Sequence, residues 1–128
     1  MERVIVDSDI LILVSRNDPT AISFVDNLEN TRGVAISAVS AFELVIGSLN
    51  NSHLVAIRKF LSRFQHIHIG EDISEAALKL LERYRLSHGL LMADALIAAT
   101  ALVNSLEFAT RNKKDFRFID GLQLVDYP

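Results

Sequence analysis

Residues 4–12 read VIVDSDILI, and this stretch decides the class of fold. Residues 3–6 form a short run rich in β-branched side chains, which is typical of a buried strand. Asp7 ends this run, and residues 10–15 give an apolar segment that predicts a short helix. The stretch therefore predicts a buried strand that passes through an acidic residue directly into a helix.

The same alternation of short apolar strands and helices continues along the chain. Ser37 is predicted to cap a helix that runs to about residue 48, with Ala41, Leu44 and Val45 facing inward. Alternation of this kind indicates a parallel sheet covered by helices on both faces. We predict one α/β domain over residues 1–128, a three-layer α/β/α arrangement with a five-stranded parallel sheet. The predicted strands are residues 3–6, 34–36, 67–69, 106–110 and 122–125, and further helices are predicted from residue 19 and at 54–64, 74–86 and 91–104.

Composition limits the classes of function. Half of the 128 residues are hydrophobic and 23% are charged, which is typical of a globular protein. The chain has no cysteine, which excludes disulfides and thiolate metal sites and suits a cytoplasmic protein. No secretory signal or membrane span is expected, because the longest apolar stretch is interrupted by Asp94 and a span takes about 20 residues. The net charge of −3 argues against a broad basic face that coats nucleic acid, but not against an enzyme that grips it locally.

Two polar residues follow predicted strands. Asp7 and Thr110 each come just after a strand, and ligands of parallel sheets bind beyond the carboxyl ends of the strands. Both residues are therefore candidates for a functional site. For Asp7 the alternative is a structural one, since an acidic residue at this place is also a common helix cap.

Two further acids lie on apolar helices. Glu43 is the only charged residue between Arg32 and His53, and its alternative interpretation is a solvated position on the outer face of its helix. Asp94 lies in a helix that must be largely buried, where a carboxylate is rare unless it is paired or metal-bound. The alternative for Asp94 is a cap, with the helix starting at Ala95.

Three such carboxylates repel one another, so they would share protons or be neutralised by a cation. Ligand sets made only of oxygen favour Mg²⁺ or Mn²⁺. These ions activate water and stabilise charge on a phosphate during an in-line displacement. We therefore predict a metal site for phosphate chemistry, with Asp7, Glu43 and Asp94 as ligands.

The segment 110–117, TRNKKDFR, would lie beside this site. It offers a fourth polar ligand, either Asn112 or Asp115. Its cations are candidates for gripping the phosphates of RNA, although a solvated loop is the alternative. These cations are Arg111, Lys113, Lys114 and Arg117. The four histidines have no metal-ligand spacing, and we interpret them as surface or structural residues.

Four pieces of the sequence, in order and spanning nearly the whole chain, resemble the PIN domain family and, within it, the VapC-type toxin ribonucleases. The pieces are residues 4–12; residues 36–44 (ISAVSAFEL) followed by Gly47; residues 94–101 (DALIAATA); and residues 109–116 (ATRNKKDF) with Ile119, Gly121 and Leu122. The resemblance implies a PIN-like five-stranded sheet and cleavage of RNA that depends on Mg²⁺ or Mn²⁺. It also implies frequent dimerisation and an antitoxin partner that inserts a segment into the active-site groove.

The resemblance also assigns residues. Asp7, Glu43 and Asp94 match the family's first three acids. The fourth position often carries Asp, but here it is Asn112, with Asp115 three residues later, which leaves the number of metal ions open. Ser8, Ser40 and Thr110 are candidates for supporting polar residues, and Asp9 is interpreted as a helix cap.

Other functions are weighed against this one. A catalytically weak PIN domain that binds RNA or a protein partner stays open, because Asn112 departs from the family pattern. A phospho-acceptor receiver domain would need its acceptor Asp at the end of a central strand and a Lys after the last strand. Here Asp94 is predicted within a helix and no lysine follows Lys114. A phosphatase would use Asp7 and Asp9, but the chain has no room for the rest of that scaffold.

Overall fold

The structure is a computed structural model, and it describes residues 2–128. Within this range, five strands form one parallel sheet, and their spatial order is β3-β2-β1-β4-β5. The predicted α/β fold with a five-stranded parallel sheet is confirmed. The strands are β1 (Val4–Val6), β2 (Val34–Ser37), β3 (Gln65–Ile67), β4 (Glu107–Ala109) and β5 (Leu124–Val125).

Helices connect the strands. Ser37 caps α3 as predicted, because its Oγ accepts a hydrogen bond from the backbone N–H of Ser40 at 3.0 Å. Asp18 caps α2 in the same way, with Pro19 at the first helical position. The helices in the described part of the chain are α1 (Ser8–Ser15), α2 (Pro19–Thr31), α3 (Ala38–Ile46), α4 (Asn51–Leu61), α5 (Glu71–His88) and α6 (Met92–Asn104), and a short 3₁₀ turn (Lys113–Asp115) follows β4.

The sheet separates two hydrophobic cores, which confirms the three layers. Side chains alternate between the faces of a strand. Val4 and Val6 therefore pack with α1, α2 and α4, whereas Ile5 packs with α5 and α6. All three are fully buried, as the β-branched run predicts for a central strand. Within residues 2–128, no helix is both long enough and apolar enough to span a membrane.

Three details of the predicted elements are wrong. The helix predicted at residues 54–64 lies three residues earlier, at Asn51–Leu61, because Asn50 caps it by accepting the backbone N–H of His53. Strand β3 lies at Gln65–Ile67, two residues before its predicted place. Val45 was expected to face inward, but it is 41% exposed, because α3 packs through Ala38, Ala41 and Leu44. The apolar character of α3 therefore extends to its outer side.

The strand order reverses next to β1. The chain places β2 and β3 on one side of β1 and then returns to place β4 and β5 on the other. The carboxyl ends of β1 and β4 thus form the crevice where ligands bind in such sheets. The pairing of Val6 with Ala109 aligns these ends and brings Asp7 and Thr110 side by side.

Candidate active site

Asp7 lies at the carboxyl end of β1 and is only 6% exposed. Its Oδ2 accepts a hydrogen bond from the hydroxyl of Thr110 at 2.8 Å, and its Oδ1 accepts one from the backbone N–H of Ser8 at 2.8 Å. Asp7 is also the N-cap of α1. The structural and the functional interpretations of Asp7 are therefore compatible.

Burial dominates the electrostatics of Asp7. Burial, followed by the negative charge of Asp9, raises the pKa of this carboxyl to about 7, against the opposing effect of the hydrogen bonds from Thr110 and Ser8. A carboxyl with this pKa is close to half protonated at neutral pH. It has a strong tendency to exchange its proton for a metal cation.

Glu43 lies on α3, and its side chain reaches Ser8 at the beginning of α1. The hydroxyl of Ser8 donates a hydrogen bond to Glu43 Oε1 at 3.0 Å. Glu43 is exposed, so its charge needs no compensation for burial. The hydroxyl of Ser40 is buried and accepts a hydrogen bond from the hydroxyl of Ser37 at 3.2 Å.

Asp94 is the third residue of α6, which begins at Met92 with Leu91 as its N-cap. The alternative in which Asp94 caps a helix starting at Ala95 is therefore wrong. Asp94 is half-buried, and burial raises its pKa to about 6, with further contributions from the charges of Asp115, Glu43 and Asp9. The carboxylates predicted from the sequence are thus close enough to repel one another.

Asp9 also belongs to the site, although the sequence suggested only a helix cap. Its Oδ1 does accept the backbone N–H of Ile10 at 2.7 Å, as a cap would. Its Oδ2 accepts the backbone N–H of Arg111 at 3.0 Å and the side-chain amide Nδ2 of Asn112 at 3.3 Å. Burial raises the pKa of Asp9 despite these bonds. No local sequence signal reveals these contacts, since the partners lie more than 100 residues away.

The two candidates for the fourth ligand lie beside different acids. Asn112 contacts Asp9, whereas Asp115 is near Asp94. Lys114 lines a hollow of about 200 Å³ together with Asp94, Asp115 and the ring of His88, which stacks on Phe118. Among the other predicted cations, Lys113 forms an ion pair with Asp126, and Arg111 and Arg117 are exposed.

The acids of the site form no salt bridge in the part of the chain that the structure describes, although the charge of Arg111 acts favourably on Asp9. The ion pairs there join Arg32 to Glu107, Arg63 to Asp26 and Glu29, and Lys113 to Asp126. Among residues 2–128, no three acidic or histidine side chains converge closely enough to hold an ion by themselves. The donors present are oxygen atoms, which suit Mg²⁺ or Mn²⁺, and these ions keep several water ligands and need only one or two carboxylates.

A groove leads away from the site between α1, α2 and α4. Its wider part has a volume of about 360 Å³, and apolar residues such as Val14, Ile22 and Phe60 share its lining with polar and charged ones that include Asp26 and Arg63. A narrower part of about 110 Å³ shares Ser15, His53 and Ile57 with it and extends to Glu43. The groove thus connects a mixed apolar and polar surface to Glu43.

Known proteins resemble this chain over nearly its full length. Ribonuclease VapC19 of Mycobacterium tuberculosis is 33% identical over 121 residues, which cover 93% of this chain and 96% of that protein. A chain of a toxin-antitoxin complex from Klebsiella pneumoniae matches with a TM-score of 0.79 and 33% identity over 96% of each chain. A chain of DNA-bound VapBC from Salmonella typhimurium matches with a TM-score of 0.86 over all of both chains, at 23% identity. The family model for the PIN domain matches residues 4–122. The chain therefore belongs to the PIN domain family.

Proposed function

We propose that this protein is a metal-dependent endoribonuclease that hydrolyses phosphodiester bonds of RNA, and that it is the toxin of a VapBC-type toxin–antitoxin pair. The observation that carries the proposal is the group of carboxylates at the crevice of the sheet. Two of them, Asp7 and Asp94, have raised pKa values and no cationic partner among residues 2–128. The similarity to ribonuclease VapC19 supports RNA as the substrate.

Asp7, Glu43 and Asp94 are the residues that would hold Mg²⁺ or Mn²⁺. When bound, such an ion lowers the pKa of a water ligand and stabilises charge on the phosphate. Ser8 and Thr110 fix the orientation of the Asp7 carboxylate, and Ser8 also fixes that of Glu43. These hydroxyls hold the acids in place before a cation arrives.

The cations after β4 are the proposed contacts to the phosphates of RNA. Arg111, Lys114 and Arg117 are exposed, and of these Arg111 lies beside Asp9 and Lys114 beside Asp94, whereas Lys113 is paired with Asp126. A few local cations suit an enzyme whose net charge is −3, because the broad surface does not attract nucleic acid.

The groove between α1, α2 and α4 is the proposed docking place for the antitoxin. The apolar residues of its lining suit the hydrophobic side of a peptide segment, its polar residues suit the other side, and its narrow end reaches Glu43. A segment with a basic side chain at that end would neutralise the acids and block the site. The match to the toxin-antitoxin complex from Klebsiella pneumoniae supports such a partner.

A homodimer is proposed because α3 and the adjoining ends of α5 and α6 expose large apolar side chains. Apolar patches of this kind on a small protein favour association. We propose that a second copy of the chain covers this patch, since the groove proposed for the antitoxin is lined by other residues. The exposed residues are Phe42, Val45, Ile46, Leu49, Leu86, Leu91 and Met92.

Cleavage of RNA by the purified protein tests the proposed activity. With Mg²⁺ or Mn²⁺ we expect cleavage of a structured RNA, abolished by EDTA and reduced at least about a hundredfold by Asp94→Asn. Asp120→Asn, an exposed carboxylate outside the site, is the matched control and should cleave as the wild type does. Unchanged cleavage by Asp94→Asn would contradict the proposed site. RNA binding without cleavage would favour the alternative of a catalytically weak PIN domain.

A further inference from the structure

Asp9 connects the beginning of α1 to the loop that follows β4. Its Oδ2 accepts hydrogen bonds from the backbone of Arg111 at 3.0 Å and from the side-chain amide of Asn112 at 3.3 Å. The hydroxyl of Thr110, which donates to Asp7 at 2.8 Å, lies 3.4 Å from the same Oδ2 of Asp9. The carboxylates of Asp7 and Asp9 therefore flank one hydroxyl group.

The contact with Asp9 determines which way the Asn112 amide is turned. An ionised carboxylate only accepts hydrogen bonds, so the amide must present its Nδ2 to Asp9. The carbonyl Oδ1 of Asn112 is on the other branch of the amide, and it is left available as an acceptor. Amide oxygens of this kind are ligands for hard divalent cations. The backbone N–H of Asn112 donates to Thr110 Oγ1 at 3.1 Å, which fixes the residue a second time.

The charge at this corner of the site comes from Asp9. Asn112 is neutral, whereas the half-buried carboxylate of Asp9 is near enough to Asp7 and Asp94 to act on both. The side chain of Asp115 lies beside Asp94, and only its backbone N–H contacts Asn112, by donating to the carbonyl oxygen of that residue at 3.0 Å. Asp9 and Asn112 together therefore offer one negative charge and one oriented oxygen.

We propose that Asp9 and Asn112 act as a pair that forms the fourth corner of the cation site, in which Asp9 supplies the negative charge and turns the amide oxygen of Asn112 toward the cation. Asp9 is thus a positioning residue. The inference rests on the proposed function, because it assumes that the acids bind a divalent ion. Sequence analysis left Asn112 and Asp115 as alternatives, and this pair favours Asn112.

Binding of Mn²⁺ alone, measured by calorimetry without RNA, tests the pair. Asp9→Asn should weaken binding at least tenfold, because it removes the charge and no longer imposes one orientation on Asn112. The exchange Asp9→Asn with Asn112→Asp moves the carboxylate and the amide between the same two positions. We expect this double variant to recover most of the lost affinity.

Asp72→Asn is the matched control. Asp72 accepts a hydrogen bond from the backbone N–H of Ile73 at 2.8 Å, as Asp9 does from Ile10 in α1. Asp72 lies at the beginning of α5, whereas Asp94 follows the other end of that helix. The affinity of Asp72→Asn for Mn²⁺ should equal that of the wild type. Asn112→Ala, which keeps Asp9, should weaken binding at least threefold and provides the test if Asp9→Asn does not fold.

Three outcomes would overturn the inference. Wild-type affinity in Asp9→Asn would mean that the charge of Asp9 is not used. Weak binding that the exchange variant fails to recover would reduce Asp9 to a structural link between α1 and the loop. Wild-type affinity for Mn²⁺ in Asn112→Ala would show that the amide oxygen of Asn112 is not a ligand of the cation. By contrast, a wild-type protein that neither binds Mn²⁺ nor cleaves RNA would contradict the proposed function itself.

Discussion

At the scale of single residues, Asp7 is where the active site lowers the stability of the metal-free protein. Its carboxylate is buried at the end of the central strand, and three hydrogen bonds, one of them long at 3.4 Å, compensate the loss of water. A buried carboxylate without a cation favours the unfolded state, in which the group is solvated. The metal-free protein should therefore be least stable where Asp7 is ionised.

Asp7→Asn should stabilise the metal-free protein at pH 8. The pKa of Asp7 rises from 3.8 to about 7 on folding, so the unfolded state loses its proton first and stability is lost as the pH rises from about 4 to 7. This rise corresponds to about 4 kcal/mol, of which a weaker bond to Thr110 returns about 1 to 2 kcal/mol. Asparagine also preserves the cap of α1.

Urea unfolding in EDTA at pH 4, 6 and 8 measures the effect. We expect Asp7→Asn to be more stable than the wild type by roughly 2 kcal/mol at pH 8. Most of this advantage should be gone at pH 4, where the wild-type carboxyl is protonated in the folded state and close to half protonated in the unfolded state. Saturating Mn²⁺ should stabilise the wild type and not the variant. A variant less stable than the wild type at pH 8 in EDTA would show that the charge of Asp7 is not a burden.

Some acids of the site can be predicted from the sequence and others cannot. Asp7 and Asp94 are recognisable because a carboxylate beside a buried strand or on an apolar helix needs a reason. Asp9 is not, since its cap bond to Ile10 is local while its bonds to Arg111 and Asn112 arise only when β1 and β4 pair. Contacts between residues more than 100 positions apart produce no periodic pattern in the sequence, so they cannot be predicted from it.

At the scale of elements, the connection from α5 to α6 sets the position of Asp94. Gly89 ends α5 with a left-handed backbone (φ +71°), and α6 begins three residues later at Met92. Arg85 donates from Nη1 to the carbonyl oxygens of Gly89 and Leu90, which holds the connection in place. A tight turn therefore presents the first turn of α6, with Asp94, to the crevice.

Gly89→Ala should destabilise the protein by about 1 kcal/mol, because a residue with a Cβ resists the left-handed region. No atom lies within 4 Å of the place where that Cβ would be, so a clash does not contribute. Ser105 ends α6 with a similar backbone (φ 53°) and is the matched control. Ser105→Gly should be neutral or slightly stabilising, and the two variants should differ by about 1 kcal/mol in urea unfolding. Equal stabilities would contradict this account.

The elements that the sequence predicts least well are those with fewest neighbours. Strand β3 lies at the edge of the sheet and pairs only with β2, through partners such as Ile36 and His66. The alternating sequence QHIHI at residues 65–69 suits either placement of a three-residue strand, so its position is decided by pairing. Central β1, buried on both faces, is predicted nearly to the residue.

At the scale of the whole molecule, composition and alternation are enough to predict a parallel sheet covered on both faces. The order of the strands is not, because it depends on which side of β1 the chain returns to after β3. That return creates the crevice at Asp7 and Thr110. The sequence thus predicts that the site lies at strand ends, while only the fold shows which ends meet.

Ile46→Glu should convert the proposed homodimer into a monomer. Ile46 is 81% exposed on α3, so the substitution removes no core contact and places a charge in the apolar patch. Light scattering after gel filtration measures the mass. Val55→Glu on α4, also an exposed apolar residue at 67%, is the control and should leave the dimer intact. A wild-type monomer, or an Ile46→Glu dimer, would contradict the proposed interface.

The hydrogen bond between Asp7 and Thr110 spans 103 positions of the chain. A ribosome therefore makes the first acid of the site early and its partner strand late. Until β4 has emerged and paired with β1, the growing polypeptide carries the acids without the crevice that assembles them. We therefore expect the proposed nuclease to be inactive until β4 has been synthesised, so that the RNA that encodes it meets the assembled site only after that point.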